Sequence, residues 1–200
     1  MEAWDCYVGP DGIEYSLEHL VPSEILFDLQ IKTEILTVPL WVVYRDHCYS
    51  RDYNEGKEGE KHAWLLPENP QDKNRRLFCK DRWMYSHGLP SLVSGIVKSG
   101  AVCHRTNNQG LYYRLERSSR RGAGPDEGVY LFLKFSPNST NPMGVRLSVE
   151  SVHERTNRPS NERGRQGLKF WAVLREFLEK RQDILEAIRK QKAPDGRGLL

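Results

Sequence analysis

Arg114, Lys134, Arg146 and Glu150 share a pattern: each sits at an alternate position of a stretch whose remaining positions are mostly apolar. In Leu111–Arg117, Leu111, Tyr113 and Leu115 alternate with Tyr112, Arg114 and Glu116. In Val129–Phe135, Val129, Leu131, Leu133 and Phe135 alternate with Tyr130, Phe132 and Lys134. In Val145–Val152, Val145, Leu147, Val149 and Ser151 alternate with Arg146, Ser148, Glu150 and Val152. Period two predicts three strands with one buried face each and the charges on the other. Pairing of the last two strands through the 136–144 turn would set Lys134 opposite Arg146. Like charges in that position disfavour a sheet unless an anion binds between them. His104 leads into the first strand and His153 follows the third. Cations, a carboxylate and imidazoles on one face are the parts of a metal-free ribonuclease. A base takes the 2′-OH proton, an acid protonates the 5′-oxygen, and cations hold the charge on phosphorus. His104, Arg114, Lys134, Arg146 and Glu150 form the candidate catalytic set. A solvated sheet face bridged by Arg146 and Glu150 is the competing reading.

Around that set lie candidate nucleic-acid contacts. Arg155, Arg158, Arg163 and Arg165 make the segment after the third strand a basic loop suited to phosphates. Tyr112 and Tyr130, with Phe132, offer rings for base stacking. Arg105 and His153 flank the strands. The charge distribution points the same way. Residues 1–100 hold 11 Lys+Arg against 16 Asp+Glu, a net of −5, and residues 101–200 hold 19 against 11, a net of +8. A basic half favours a polyanionic partner, here RNA, with DNA as the alternative. Other chemistries lack their motifs. There is no Gly-x-x-x-x-Gly-Lys-Ser/Thr phosphate loop, no Gly-x-Ser-x-Gly elbow and no His-Glu-x-x-His. The six histidines show no metal-ligand spacing, and no two of the four cysteines form a Cys-x-x-Cys pair. Neither a metal nor a cofactor is expected.

The elements that must hold these residues are also legible. Leu89, Leu92, Val93, Ile96 and Val97 lie on one face of a helix that Ser99-Gly100 ends, and Pro90 fits its first turn. Ile25–Leu36 and Val38–Tyr44 read as an N-terminal β-ribbon, with Pro39 at a strand start or edge. Leu168–Lys192 reads as one long amphipathic helix, and Trp83 and Trp171 as core anchors. The fold class expected is α+β: an antiparallel sheet with a helix packed on one face. Residues 1–24 are expected to be irregular, 25–192 to form a single domain and 193–200 a loose tail. Mean hydropathy is −0.67, no apolar run approaches the ~20 residues that span a bilayer, and the N-terminus lacks a signal peptide's pattern. A cytoplasmic protein without a membrane partner is expected.

Two resemblances add to this reading. Phe78-Cys79-Lys80-Asp81-Arg82-Trp83, His87-Gly88-Leu89-Pro90-Ser91-Leu92-Val93, the strand ending Arg146-Leu147-Ser148-Val149-Glu150-Ser151-Val152, and Phe170-Trp171-Ala172-Val173-Leu174-Arg175 occur in that order. Over about residues 25–180 the chain resembles a group of bacterial proteins carried on phages, plasmids and integrated elements. Over 80–155 the helix and strand meander is similar to the barnase–EndoU–colicin–RelE ribonuclease superfamily. That second resemblance implies helices on a four-stranded antiparallel sheet and a toxin-like endoribonuclease that needs no metal. It also implies a cognate inhibitor as a partner. The chain departs from the pattern at Ser151-Val152-His153, where relatives often carry a small residue, an aromatic and a proline. A nucleic-acid-binding module of the same fold and a protein-interaction protein are the alternatives.

Overall fold

A computed structural model describes residues 6–54, 63–66, 75–106, 110–117, 127–138, 144–156 and 167–191. The strands in chain order are β1 (Cys6–Val8), β2 (Glu14–Ser16), β3 (Ser23–Ile31), β4 (Glu34–Tyr44), β5 (Ser50–Asp52), β6 (Arg76–Phe78), β7 (Val102–Arg105), β8 (Leu111–Arg117), β9 (Gly128–Pro137), β10 (Val145–Arg155) and β11 (Leu168–Lys169). The helices are α1 (Lys80–Ser86), α2 (Leu89–Ser99), α3 (Phe170–Glu179) and α4 (Gln182–Gln191). Seven strands form one sheet in the order β11-β7-β8-β9-β10-β4-β3. The class is α+β. The three expected strands are β8, β9 and β10, adjacent and antiparallel.

The sheet is mixed rather than antiparallel throughout, because β4 runs parallel to β10. The expected ribbon, β3 with β4, is the edge of this sheet and not a separate element. Its apolar alternation explains the docking. Leu36, Val38, Leu40 and Val42 are buried to within 1%, and a free ribbon would leave that row in water. A parallel pair needs a long crossover, and everything between residues 44 and 145 supplies it. Pro39 sits inside β4, yet pairing with β10 begins only at Leu40↔Val145. At Pro39 the strand has β3 alone as neighbour, which is where a missing N–H is tolerated.

One core cluster joins the inner row of the sheet (Leu131, Leu133, Leu147, Val149) to Leu89, Val93, Ile96 and Val97 of α2 and to residues of α3 and α4. Gly100 ends α2 at φ +60°, and a Cβ there would lie 2.4 Å from the Trp171 ring, so glycine is required twice over. Trp171 is not a core residue: its indole covers Gly100 and carries the Arg175 guanidinium 5.1 Å from its centre. The expected single C-terminal helix is broken between Glu179 and Gln182. Unbroken, its 22 residues would run for about 33 Å. The break places α4 on β4, where Arg189 pairs with Glu34. No glycine or proline marks it.

Residues 6–16, expected to be irregular, form the hairpin β1–β2. With β5, β6 and α1 it surrounds a second, aromatic cluster: Tyr7, Tyr15 and Phe78, flanked by Tyr49, Trp64 and Trp83. Trp83 is the anchor its type suggested, and its indole N–H donates to the Ser16 carbonyl at 2.9 Å. His19 fastens the N-terminal segment to the end of α1. Its Nε2 lies 2.7 Å from Ser86 Oγ. That hydroxyl donates to the Trp83 carbonyl, so Nε2 carries the proton. The His19 ring stacks on His87 at 4.0 Å. Burial, then the neighbouring His87, pushes the His19 imidazole down to about 4. A histidine depressed on folding contributes stability that is complete above its unfolded pKa, ~6.5, and is lost as pH falls toward the folded value. The melting temperature is therefore expected to drop between pH 6.5 and 4. In His19→Gln, which keeps an N–H for Ser86, melting scans across that range should show a shallower drop; identical slopes would show that His19 does not titrate with folding.

Candidate functional site

The face of the sheet turned away from α2, α3 and α4 is built by strand alternation. On β9, Phe135 points toward the helices, where it meets Phe170 at 5.3 Å and Phe177 at 5.6 Å. Tyr130, Phe132 and Lys134 therefore point the other way. Register extends this face across four strands: His104↔Tyr112, Tyr112↔Phe132, Arg114↔Tyr130, Ser148↔Lys134, Arg146↔Ser136 and His153↔Tyr130. By the same alternation Arg155 joins His153. The sheet thus gathers His104, Tyr112, Arg114, Tyr130, Lys134, Arg146, His153 and Arg155 on one face.

Several expected details differ. Lys134 opposes Ser148 and Arg146 opposes Ser136, so no direct like-charge pair exists; the turn is two residues out of the register assumed for it. Glu150 falls in a register shift between Val149 and Ser151, the extra residue of a bulge. Past it the alternation reverses, with Val152 buried in the core and Ser151 on the outer face. A one-residue slip flips a strand's faces, and here it keeps Val152 under the helices. Arg105 is on the opposite face with Cys103, because residues two apart share a side. It holds the Glu176 carboxylate through two N–H groups. Those bonds from Arg105, then those from Lys180, lower the Glu176 pKa to about 2. Arg105 is thus committed to α3 rather than to a nucleic acid. Tyr112 and Tyr130 are 1% and 0% exposed, so neither ring can receive a base. Arg158, Arg163 and Arg165 lie outside the described residues.

His104 and Glu150 also separate. They stand on β7 and β10, three strand spacings or about 14 Å apart along the sheet. The His104 ring instead stacks on Tyr112 at 5.0 Å, and a side chain at Gly167 would press on it at 3.1 Å.

The accessible part of the face centres on β9 and β10. Phe132 and His153 stack at 5.4 Å with planes 14° apart. The Arg155 guanidinium lies 5.7 Å from the Phe132 centre and that of Arg114 lies 5.7 Å from Tyr130. Arg114 also donates to the Glu127 carbonyl at 2.7 Å. Buried Nδ1 of His153 and buried Nε of Arg114 and Arg146 have no hydrogen-bond partner among the described residues. Burial, then the charges of Arg82 and Arg155 and the His47 imidazole, depress His153 to about 4. At neutral pH it is uncharged and able to accept a proton. Arg82 and His47 have no sequence signature. They arrive from α1 and from the short turn Asp46–Cys48, and only tertiary packing brings them to β10. Among the described residues no three His, Cys, Asp or Glu side chains group as metal ligands, and no helix is long and apolar enough to cross a membrane.

The sequence model of the YjaZ family matches residues 6–178. No curated protein and no solved structure matches the chain.

Proposed function

The chain belongs to the YjaZ family, and we propose that it binds RNA on the outer face of β8–β10 and cleaves it without a metal. The observation that carries this reading is the half-buried Phe132–His153 stack topped by Arg155, bordered on the same face by Arg114, Lys134 and Arg146. A ring face suits a base, guanidinium groups suit phosphate oxygens, and a neutral imidazole can take a proton. In the reaction the 2′-oxygen attacks phosphorus as its proton passes to His153. The bond to the 5′-oxygen breaks, Glu150 in the bulge supplies that oxygen's proton, and Arg146 stabilises the charge on the non-bridging oxygens. The products are a 2′,3′-cyclic phosphate and a free 5′-hydroxyl. This reading gives the base role to His153, on the same strand as Glu150, in place of His104 on β7. The resemblance to mobile-element proteins and to the ribonuclease superfamily supports the same activity in a toxin-like setting, with a cognate inhibitor as partner.

A second reading is RNA or DNA binding by the same face without cleavage, with the cations holding phosphates and no proton transfer. One experiment separates the two. Purified protein is incubated with RNA in the presence of a chelator, and the ends of the products are analysed. Cyclic phosphate ends are expected. RNA left intact in every buffer overturns cleavage.

Binding has its own signature. Four phosphate contacts, by Arg114, Lys134, Arg146 and Arg155, correspond to a log–log salt slope of about −3 on single-stranded RNA. Affinity should fall about 50-fold between 50 and 200 mM salt, by the same relation. Titration of a 2′-deoxy substrate, which cannot be cut, would measure this. A salt-independent Kd, or no binding at all, would remove both readings.

A further inference from the structure

The turn Asp46–Cys48 and helix α1 both contact β10. Arg82 of α1 donates to two carbonyls, His47 O at 3.2 Å and Ser50 O at 2.6 Å. These bonds fix the guanidinium without cancelling its charge. Its neighbour Arg76 is different: it pairs with Asp52 and stands 3.8 Å from Asp46. The two nearby aspartates are therefore engaged with Arg76, while Arg82 has no carboxylate partner among the described residues. Neither does Arg155, whose described contact is the Phe132 ring. The half-exposed His47 has its Nε2 3.7 Å from Asp46 Oδ1. The third acidic group in the region, Glu150, bears on the buried Cys48 thiol. Two guanidinium groups with no carboxylate ion pair among the described residues, and two imidazoles, thus stand on three elements that contact one another, and one imidazole has a buried nitrogen with no partner among the described residues.

We infer that Arg82, Arg155, His47 and His153 form a binding site for a single phosphate group. The proposal relies on the RNA reading only for the owner of that phosphate, not for the site itself. Its chemistry is direct. Guanidinium groups hold phosphate oxygens through paired N–H groups, and a phosphate oxygen would offer the His153 nitrogen the acceptor it lacks. A bound phosphate favours the charged imidazole, opposing the desolvation and neighbouring positive charge that now depress it. For a phosphate whose own charge is unchanged, binding therefore takes up a proton at His153.

The probe is inorganic phosphate, added to the full chain while the histidine ring protons are followed by NMR at several pH values. Phosphate is expected to move the His47 and His153 signals and to raise the His153 pKa by at least about one unit, tenfold in linked affinity. Arg155→Gln, which loses a ring contact and no ion pair among the described residues, should weaken binding at least tenfold and remain folded. Shifts matched by chloride at equal ionic strength, no shift at tens of millimolar phosphate, or unchanged affinity in Arg155→Gln would each overturn the site. Failure here with RNA cleavage intact would move the scissile phosphate toward Arg114 and Arg146. Phosphate binding with no action on RNA would keep the site and sink the ribonuclease reading.

Discussion

Replacing Arg146 with alanine is expected to lower RNA cleavage by about 10²–10³-fold, the loss typical of removing one electrostatic stabiliser from a transition state. Arg146 extends from β10 on the outer face, half-buried, beside Trp41 of β4 and Ser136 of β9. Its buried Nε has no partner among the described residues. An isolated surface ion pair of such a residue contributes at most ~1 kcal/mol, and melting of the variant should therefore stay close to the parent. The effect belongs to the turnover number, because the charge on phosphorus grows only as the 2′-oxygen adds. His153→Ala should cost a comparable factor, about 10²–10⁴ for a general base. The pH profile follows from the same imidazole. Burial holds the His153 pKa at about 4, so activity should fall as acid protonates this base and, on the other side of the profile, as the carboxyl that donates to the 5′-oxygen loses its proton. Single-turnover rates on a defined RNA would measure all three effects. Activity that survives Arg146→Ala and His153→Ala together would place the chemistry elsewhere, with His87 and the 157–166 segment next to be tested.

What the sequence revealed and what it hid divide along physical lines. The trio β8, β9 and β10 and the helix α2 were legible because each carries an uninterrupted period, two or 3.6, over enough residues to be distinctive. Gly100 and Pro90 marked their own places by backbone chemistry. The bulge at Glu150 left no trace: one extra residue has no composition of its own, yet it exchanged the faces of Ser151 and Val152. Arg105 looked like its neighbour His104, but adjacent strand residues point to opposite faces, and its partner Glu176 lies 71 residues away. Pairing of β4 with β10 and the approach of Arg82 and His47 to His153 are long-range events. Local pattern constrains them only by requiring that apolar rows be covered.

Leu147→Ala is expected to destabilise the protein by about 2–5 kcal/mol, the range for truncating a fully buried leucine. Leu147 adjoins Arg146 in sequence but points to the other face. It is 0% exposed and pairs with Phe135 on one side and Val42 on the other. It is thus held between β9 and the parallel strand β4, in the cluster that includes α2, α3 and α4. Alanine would leave a cavity at the seam between the strand trio and the edge ribbon, and neither flank can collapse without breaking register. For a chain of this size the loss corresponds to a melting temperature lower by roughly 4–20 °C. Thermal and denaturant unfolding of the two adjacent variants would be compared. A large drop for Leu147→Ala beside a small one for Arg146→Ala is what the assignment of faces requires. Equal drops would mean that Arg146 is part of the packing, and the case for a free cation on the outer face would go with it.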